Sequence, residues 1–187
     1  MTAPTLTAGL TDYTGTWTID AAHSRLGFTA RHAMVTKVRG QFDAVEGTFN
    51  LNGANPADSS ASVIIQAASF SSGNSDRDAH VRSGDFLDVE NFPTLTFAST
   101  AVRAKDDSFI VSGDLTIHGT TRSVDIEVEP LGVTADPFGN TRAGFEGSTT
   151  LSRKDFGLTW NVALEAGGVM VSDKIAITLD IAAILAV

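Results

Sequence analysis

There is no cysteine in the 187-residue chain, which removes disulfides, a thiol nucleophile and any thiolate metal site. Basic residues are scarce: 13 Lys and Arg against 22 Asp and Glu leave a formal charge of −9. That surplus, with no basic stripe set against it, speaks against nucleic acid or an anionic membrane as a general partner. No apolar run reaches the ~20 residues of a membrane-spanning helix, so no integral membrane segment is expected. The opening MTAPTLTAGLTDYTGTW lacks a basic n-region and an apolar h-region. As written it is not a signal peptide, and the cytoplasm is the expected compartment.

Catalytic signatures are missing too. No serine sits in G-x-S-x-G, and neither G-x-x-x-x-G-K-[ST] nor a helix-opening G-x-G-x-x-G occurs. The string DFG at Asp155, Phe156 and Gly157 stands without the glycine-rich and catalytic loops of a kinase. Of the four histidines, His23 and His32 flank one strand and His118 stands alone. His80 lies four residues after Asp76, on one helical face, which is a ligand pair at most. No metal and no catalytic cofactor is expected.

What the chain does have is apolar content, 42% with 11 phenylalanines, enough for a real core. Residues 1–12 are Thr/Ala-rich, weakly patterned and expected to be flexible, leaving residues 13–187 as a single domain. From there strands dominate. Residues 15–20 place Trp17 and Ile19 on one face, and residues 25–31 alternate Leu26, Phe28 and Ala30 against polar neighbours. Residues 32–37 read as a helical turn or a wide bend. Residues 38–51 change face midway, which predicts a β-bulge. Further strands follow at residues 61–70, 94–103, 109–117, 120–129, 141–152 and 169–184. The clearest sets Val124, Ile126 and Val128 against Asp125, Glu127 and Glu129. A second short helix is expected near residues 161–166. Eight or nine strands on short turns make an antiparallel meander, and its internal glycines and phase shift favour a curled sheet.

One stretch differs, NSDRDAHVRSGDFLDVENFPTLTF at residues 74–97. Asn74 and Ser75 are helix N-caps, and Asp78 falls three after Ser75 as in a capping box. Asp76 and Asp78 complement the dipole of the first turn, and Gly84 is the expected stop. A short charged helix between strands reads as a lid or plug.

An eight-stranded barrel either fills with side chains or holds one small ligand. Phe28, Phe42, Phe97 and Phe145 fall on strands, whereas Phe86, Phe92, Phe156 and Trp160 fall on connecting segments. Each alone is ordinary core; those on connections are also placed to close one mouth over an apolar ligand.

Several strings, in order, resemble the YceI-like family, whose members are lipocalin-like polyisoprenoid-binding proteins. They are WTIDAAHSRLGFTARH (17–32), VRGQFDAVEGTF (38–49), residues 74–97, LTIHGTTRSV (115–124), SRKDFGLTWN (152–161) and IAITLDIAAI (175–184). The resemblance implies an all-β fold, an extended antiparallel β-barrel of about eight strands with one or two short helices in the connections. It also implies a tunnel for an isoprenoid chain, such as that of a polyprenyl quinone, or for another fatty amphiphile. The wall is then expected from Phe28, Phe42, Phe86, Phe97, Leu115, Phe145, Phe156 and Trp160. The mouth is expected from His23, Arg25, His32, Arg77, Asp78 and His80, with Arg77 and Asp78 equally readable as a structural ion pair. Binding, storage or transport of such a lipid is the leading expectation. The alternatives are an enzyme, with or without a metal, acting on an apolar substrate in the same tunnel, and a packed barrel serving as an interaction domain. A homodimer stays open.

Overall fold

The alternation of residues 124–129 becomes barrel wall: Val124, Ile126 and Val128 turn inward while Asp125, Glu127 and Glu129 stay exposed. The computed structural model describes residues 9–187. In chain order its strands are β1 (Gly15–Ile19), β2 (Arg25–His32), β3 (Thr36–Phe42), β4 (Val45–Leu51), β5 (Ser60–Gln66) and β6 (Phe70–Ser71). After helix α1 (Ser75–Arg82) come β7 (Thr94–Lys105), β8 (Ser108–Ile117), β9 (Thr120–Ala135), β10 (Thr141–Ser152) and β11 (Lys174–Leu185). The sheet order is β1-β4-β5-β7-β8-β9-β10-β11-β2-β3-β6, and a further β1–β11 pairing closes it.

The eleven segments make eight long strands, because three are broken midway. β1 and β2 lie along opposite halves of β11, Trp17 facing Leu185 and Leu26 facing Leu179. The break is built in the sequence: the Asp20 carboxylate caps a 3-10 turn at Ala21–His23, and the Ser24 hydroxyl accepts from the Ala182 N–H at 3.0 Å. β3 and β4 pair with the same two pieces. Between them Asp43 and Ala44 leave the ladder to bond Ser69 and Gln66. The face change in residues 38–51 is therefore a strand break, not the expected bulge. The bulges lie at Ser99/Ala101 and Gly144/Phe145 instead.

Turn chemistry departs from expectation at two more places. The bend after His32 is a tight turn, its Val35 N–H bonded to His32 O and Ala33 and Met34 both left-handed (φ 50° and 63°). Residues 161–166 form no helix. The Asn161 side chain takes both the N–H and the C=O of Val171, and left-handed Gly167 and Gly168 fold the segment back as a loop. Most of the N-terminal segment expected to be flexible, residues 1–8, lies outside the described residues. Leu10–Tyr13 is a 3-10 turn that buries Tyr13.

Apolar burial concentrates at the two ends of the barrel. One cluster gathers Tyr13, Trp17, Ala143 and Ala183; the other gathers Ala67, Phe70, Leu87, Leu95, Ile117 and Phe156. Leu151 of the second and Ala143 of the first are eight residues apart on β10, about 26 Å at ~3.3 Å per residue. At the first end the Trp17 side chain is fully buried, and its indole N–H donates to Tyr13 O at 2.7 Å. Ala143 and Ala183, paired across β10 and β11, belong to the same cluster and leave room for the indole. Between the ends burial is mixed: Ile19, Leu26 and Phe97 are buried, whereas Val63, Val111, Ile126 and Leu179 are only half-buried. An inward apolar side chain that is not fully covered marks a wall that is not fully filled. No helix among the described residues is long and apolar enough to cross a membrane.

Candidate functional site: a cavity under the helix

Helix α1 is fixed by its start. The Asn74 carboxamide oxygen accepts from Arg77 N–H at 3.0 Å, and the expected Ser75–Asp78 capping box does not form. Asp78, 7% exposed, turns back to accept from the N–H and hydroxyl of Ser72. Arg77 reaches the same residue, Nε donating to Ser72 Oγ at 2.7 Å and Nη2 to Ser72 O at 2.8 Å. Arg77 and Asp78 therefore meet through Ser72 and form no ion pair with each other. The helix ends at Ser83, whose N–H and hydroxyl both take His80 O, so Gly84 is not the stop.

Beneath this helix lies a cavity of about 580 Å³. Its walls come from Phe28, Ala30, Phe42 and Val38 of the β2–β3 hairpin, Leu95 and Ile117 across the barrel, and Leu151, Ile175 and Ile177 of β10 and β11. The ionisable residues on the lining are few: Arg31, His32, Asp76, Arg77, His80 and Arg153. The volume falls within the range of about 300–1,000 Å³ typical of small-ligand sites, and the composition is that of an apolar one.

An aromatic bridge covers the cavity. His80 stands edge-on to Trp160 (centroids 4.6 Å) and to Phe86 (5.1 Å), and Phe86 meets Trp160 at 5.2 Å. His80 Nε2 also pairs with Asp85 at 2.8 Å, so its carboxylate partner is Asp85 and not Asp76. The loop carrying Trp160 is held by Arg153, 5% exposed, which donates to the carbonyls of Leu158, Trp160, Val171 and Ser172. Burial pushes the Arg153 pKa down, with Asp173 acting the other way. Asp173 is itself held below the usual carboxylate range by the Ser152 hydroxyl and the Lys154 N–H. Among the described residues no three His, Asp or Glu side chains gather closely enough to hold a metal ion.

The structure brings Phe28, Phe42, Phe86, Phe156, Trp160, His32, Arg77 and His80 together on this cavity. The other residues expected there lie elsewhere. Phe97 and Leu115, paired across β7 and β8, are not on this lining: Phe97 is buried with its ring over Gly113, and Leu115 packs against the apolar cluster of this end. Phe145 belongs to the opposite end, where with Tyr13 and Leu51 it lines a second cavity of about 100 Å³. His23 is exposed and paired with Asp20, and Arg25 is exposed on the outer face. Asp78 serves the helix, not the cavity. The sequence reading missed Arg153, adjacent to Lys154 in SRKDF, because only the fold tells the buried cation from the exposed one.

The fold matches solved structures. BcnA of Burkholderia cenocepacia superimposes with a TM-score of 0.75 at 24% identity, covering 88% of this chain and 98% of that one. A Campylobacter jejuni YceI protein gives 0.70 at 25% identity over 84% and 90% of the two chains. A polyisoprenoid binding domain from Saccharophagus degradans, implicated in plant cell wall breakdown, gives 0.67 at 16% identity over 91% and 98%. In sequence, a UPF0312 protein of Pseudomonas paraeruginosa is 41% identical over 139 residues, 74% of this chain and 73% of its own. Residues 17–183 match the family model described as YceI-like domain, and the chain belongs to that family.

Proposed function

We propose that the protein binds the apolar chain of an isoprenoid or similar amphiphile, with a polyprenyl quinone as the model ligand, for storage or transport. The observation that carries this reading is the cavity of about 580 Å³, walled by Phe28, Phe42, Ile175 and Ile177, with few ionisable side chains on its lining. Burying each CH₂ of such a chain contributes roughly 0.8 kcal/mol, so apolar contact alone supplies affinity and no catalytic group is needed. Arg31, His32, Arg77 and His80 offer donors to the polar head. Supporting the class of ligand, one structural neighbour is a polyisoprenoid binding domain.

The test is organic extraction of the purified protein followed by mass spectrometry, with thermal unfolding in the presence of a prenyl quinone. A co-purified isoprenoid or amphiphile, or a raised Tm with the quinone, is expected. Finding no bound amphiphile and no stabilisation by the quinone would overturn the reading.

A further inference from the structure

Charge is not spread evenly over this acidic chain. Residues 21–42 contain Arg25, Arg31, Lys37 and Arg39 and not one acidic residue, so all 22 acids lie elsewhere. Arg31, Lys37 and Arg39 are exposed on the β2–β3 hairpin, Arg31 directly opposite Lys37. Among the described residues none of the three takes part in an ion pair. The outer strands at the other end of the molecule differ: there Arg103 and Lys105 are matched by Asp125 and Glu127.

The tip of the same hairpin is apolar. Met34 is 53% and Val35 73% exposed, on a turn whose two central residues are left-handed without being Gly, Asn or Asp. Such residues cost free energy there and persist where surroundings hold them. Here Ala33 N–H donates to Met170 O at 2.7 Å, tying the tip to the loop that carries Val162, also exposed. The tip adjoins the cavity: Arg31, His32 and Met170 are on its lining. The acids at this end lie off the hairpin: Asp76 and Asp78 in α1, Asp85 on His80, Asp88 and Glu90 in the segment after the helix, and Asp155, Glu165 and Asp173 on Ser152 in the stretch after β10.

We propose that this end of the protein docks on an anionic lipid bilayer. Met34, Val35 and Val162 enter the interface while Arg31, Lys37 and Arg39 meet lipid phosphates. Exposed apolar residues flanked by unpaired cations are what interfacial anchoring requires, and the continuity with the cavity selects a bilayer over a protein partner. A chain-like ligand then passes between bilayer and cavity without crossing water, a consequence that rests on the function proposed above. The net charge of −9 conceals the patch because residues 21–42, which carry the hairpin, contain none of the 22 acids.

Flotation with vesicles of phosphatidylcholine, with and without a third of phosphatidylglycerol, tests this. The protein is expected to float with the anionic vesicles, to be released by high salt, and to float poorly with neutral ones. Replacing Arg31, Lys37 and Arg39 by Gln is expected to weaken partitioning about fivefold per cation, and M34S/V35S to abolish it. R103Q is expected to change nothing. Far-UV circular dichroism verifies that each variant is folded, and uptake of an apolar fluorescent probe in vesicle-free solution separates the two claims. Probe uptake without flotation overturns docking and leaves the cavity reading standing; flotation without uptake does the reverse. Equal flotation with both vesicle types, or equal loss from R103Q, also overturns docking.

Discussion

His80 and Trp160 meet edge to face, ring centroids 4.6 Å apart, and in doing so join helix α1 to the loop that follows β10. The contact spans the cavity from two segments far apart in sequence. It makes Trp160 a reporter of whatever occupies the space, whereas Trp17 is sealed into the opposite end. Binding of a prenyl quinone should quench Trp160 emission and leave Trp17 unchanged. In W160F the ligand-dependent change should vanish, and a change that persists there contradicts the assignment. H80A, which frees the loop from the helix, should speed ligand release in stopped-flow exchange.

Arg153 should matter more to the loop than to the barrel. Its removal strands the carbonyls of Leu158, Trp160, Val171 and Ser172, and a buried polar group without a partner costs about 1–3 kcal/mol. R153M is expected to lose about 2–4 kcal/mol, with amide exchange rising first in residues 158–172. R153K should rescue little, since an ammonium lacks the planar fork that spans four acceptors. Uniform acceleration of exchange across all strands would contradict this.

At the far end, W17A should cost about 3–5 kcal/mol in chemical denaturation, since the indole is fully buried. The cavity under α1 is remote from it, so the folded fraction should bind ligand with unchanged affinity. Lost affinity in folded W17A protein would mean the two ends are coupled.

The pH dependence should follow Arg142, which donates to Asp20 and to Asp136, each at 2.6 Å. Asp20 is held below its usual range first by Arg142 and also by His23; Asp136 is held well below it by Arg142 and by the Asn140 N–H. A carboxylate depressed in the folded state stabilises fully above its unfolded pKa of about 4 and loses that contribution as pH falls through the folded value. R142Q should therefore lower Tm clearly at neutral pH and progressively less below about pH 4. A deficit independent of pH would remove the carboxylates from the explanation.

Much of the barrel was legible because alternation is a local signal. The inward sets Val124, Ile126 and Val128, and Ile175, Ile177, Leu179 and Ile181, could be read directly from the chain. The break at Asp43 and Ala44 looked like a bulge because both shift the phase, and only the partners Ser69 and Gln66 tell them apart. The loop at residues 161–166 passed for a helix because the side chain of Asn161 bonds ten residues away. For the site, residues in the helix and its flanks were found as a group, His80, Arg77 and Phe86 among them. His23 and Arg25 were not separable from His32 by sequence, since they share one extended run whose far end leaves the cavity.

The central claim is that the space under α1 takes an apolar chain, and filling that space tests it most directly. Ala30 lines it and lies opposite Val38 on the β2–β3 hairpin. Titration of the protein and of A30F with a prenyl quinone, followed by Trp160 fluorescence, should give saturable one-to-one binding to the first. Folded A30F should bind at least tenfold more weakly. Equal binding by both, or no saturable binding by the unaltered protein, would contradict the account.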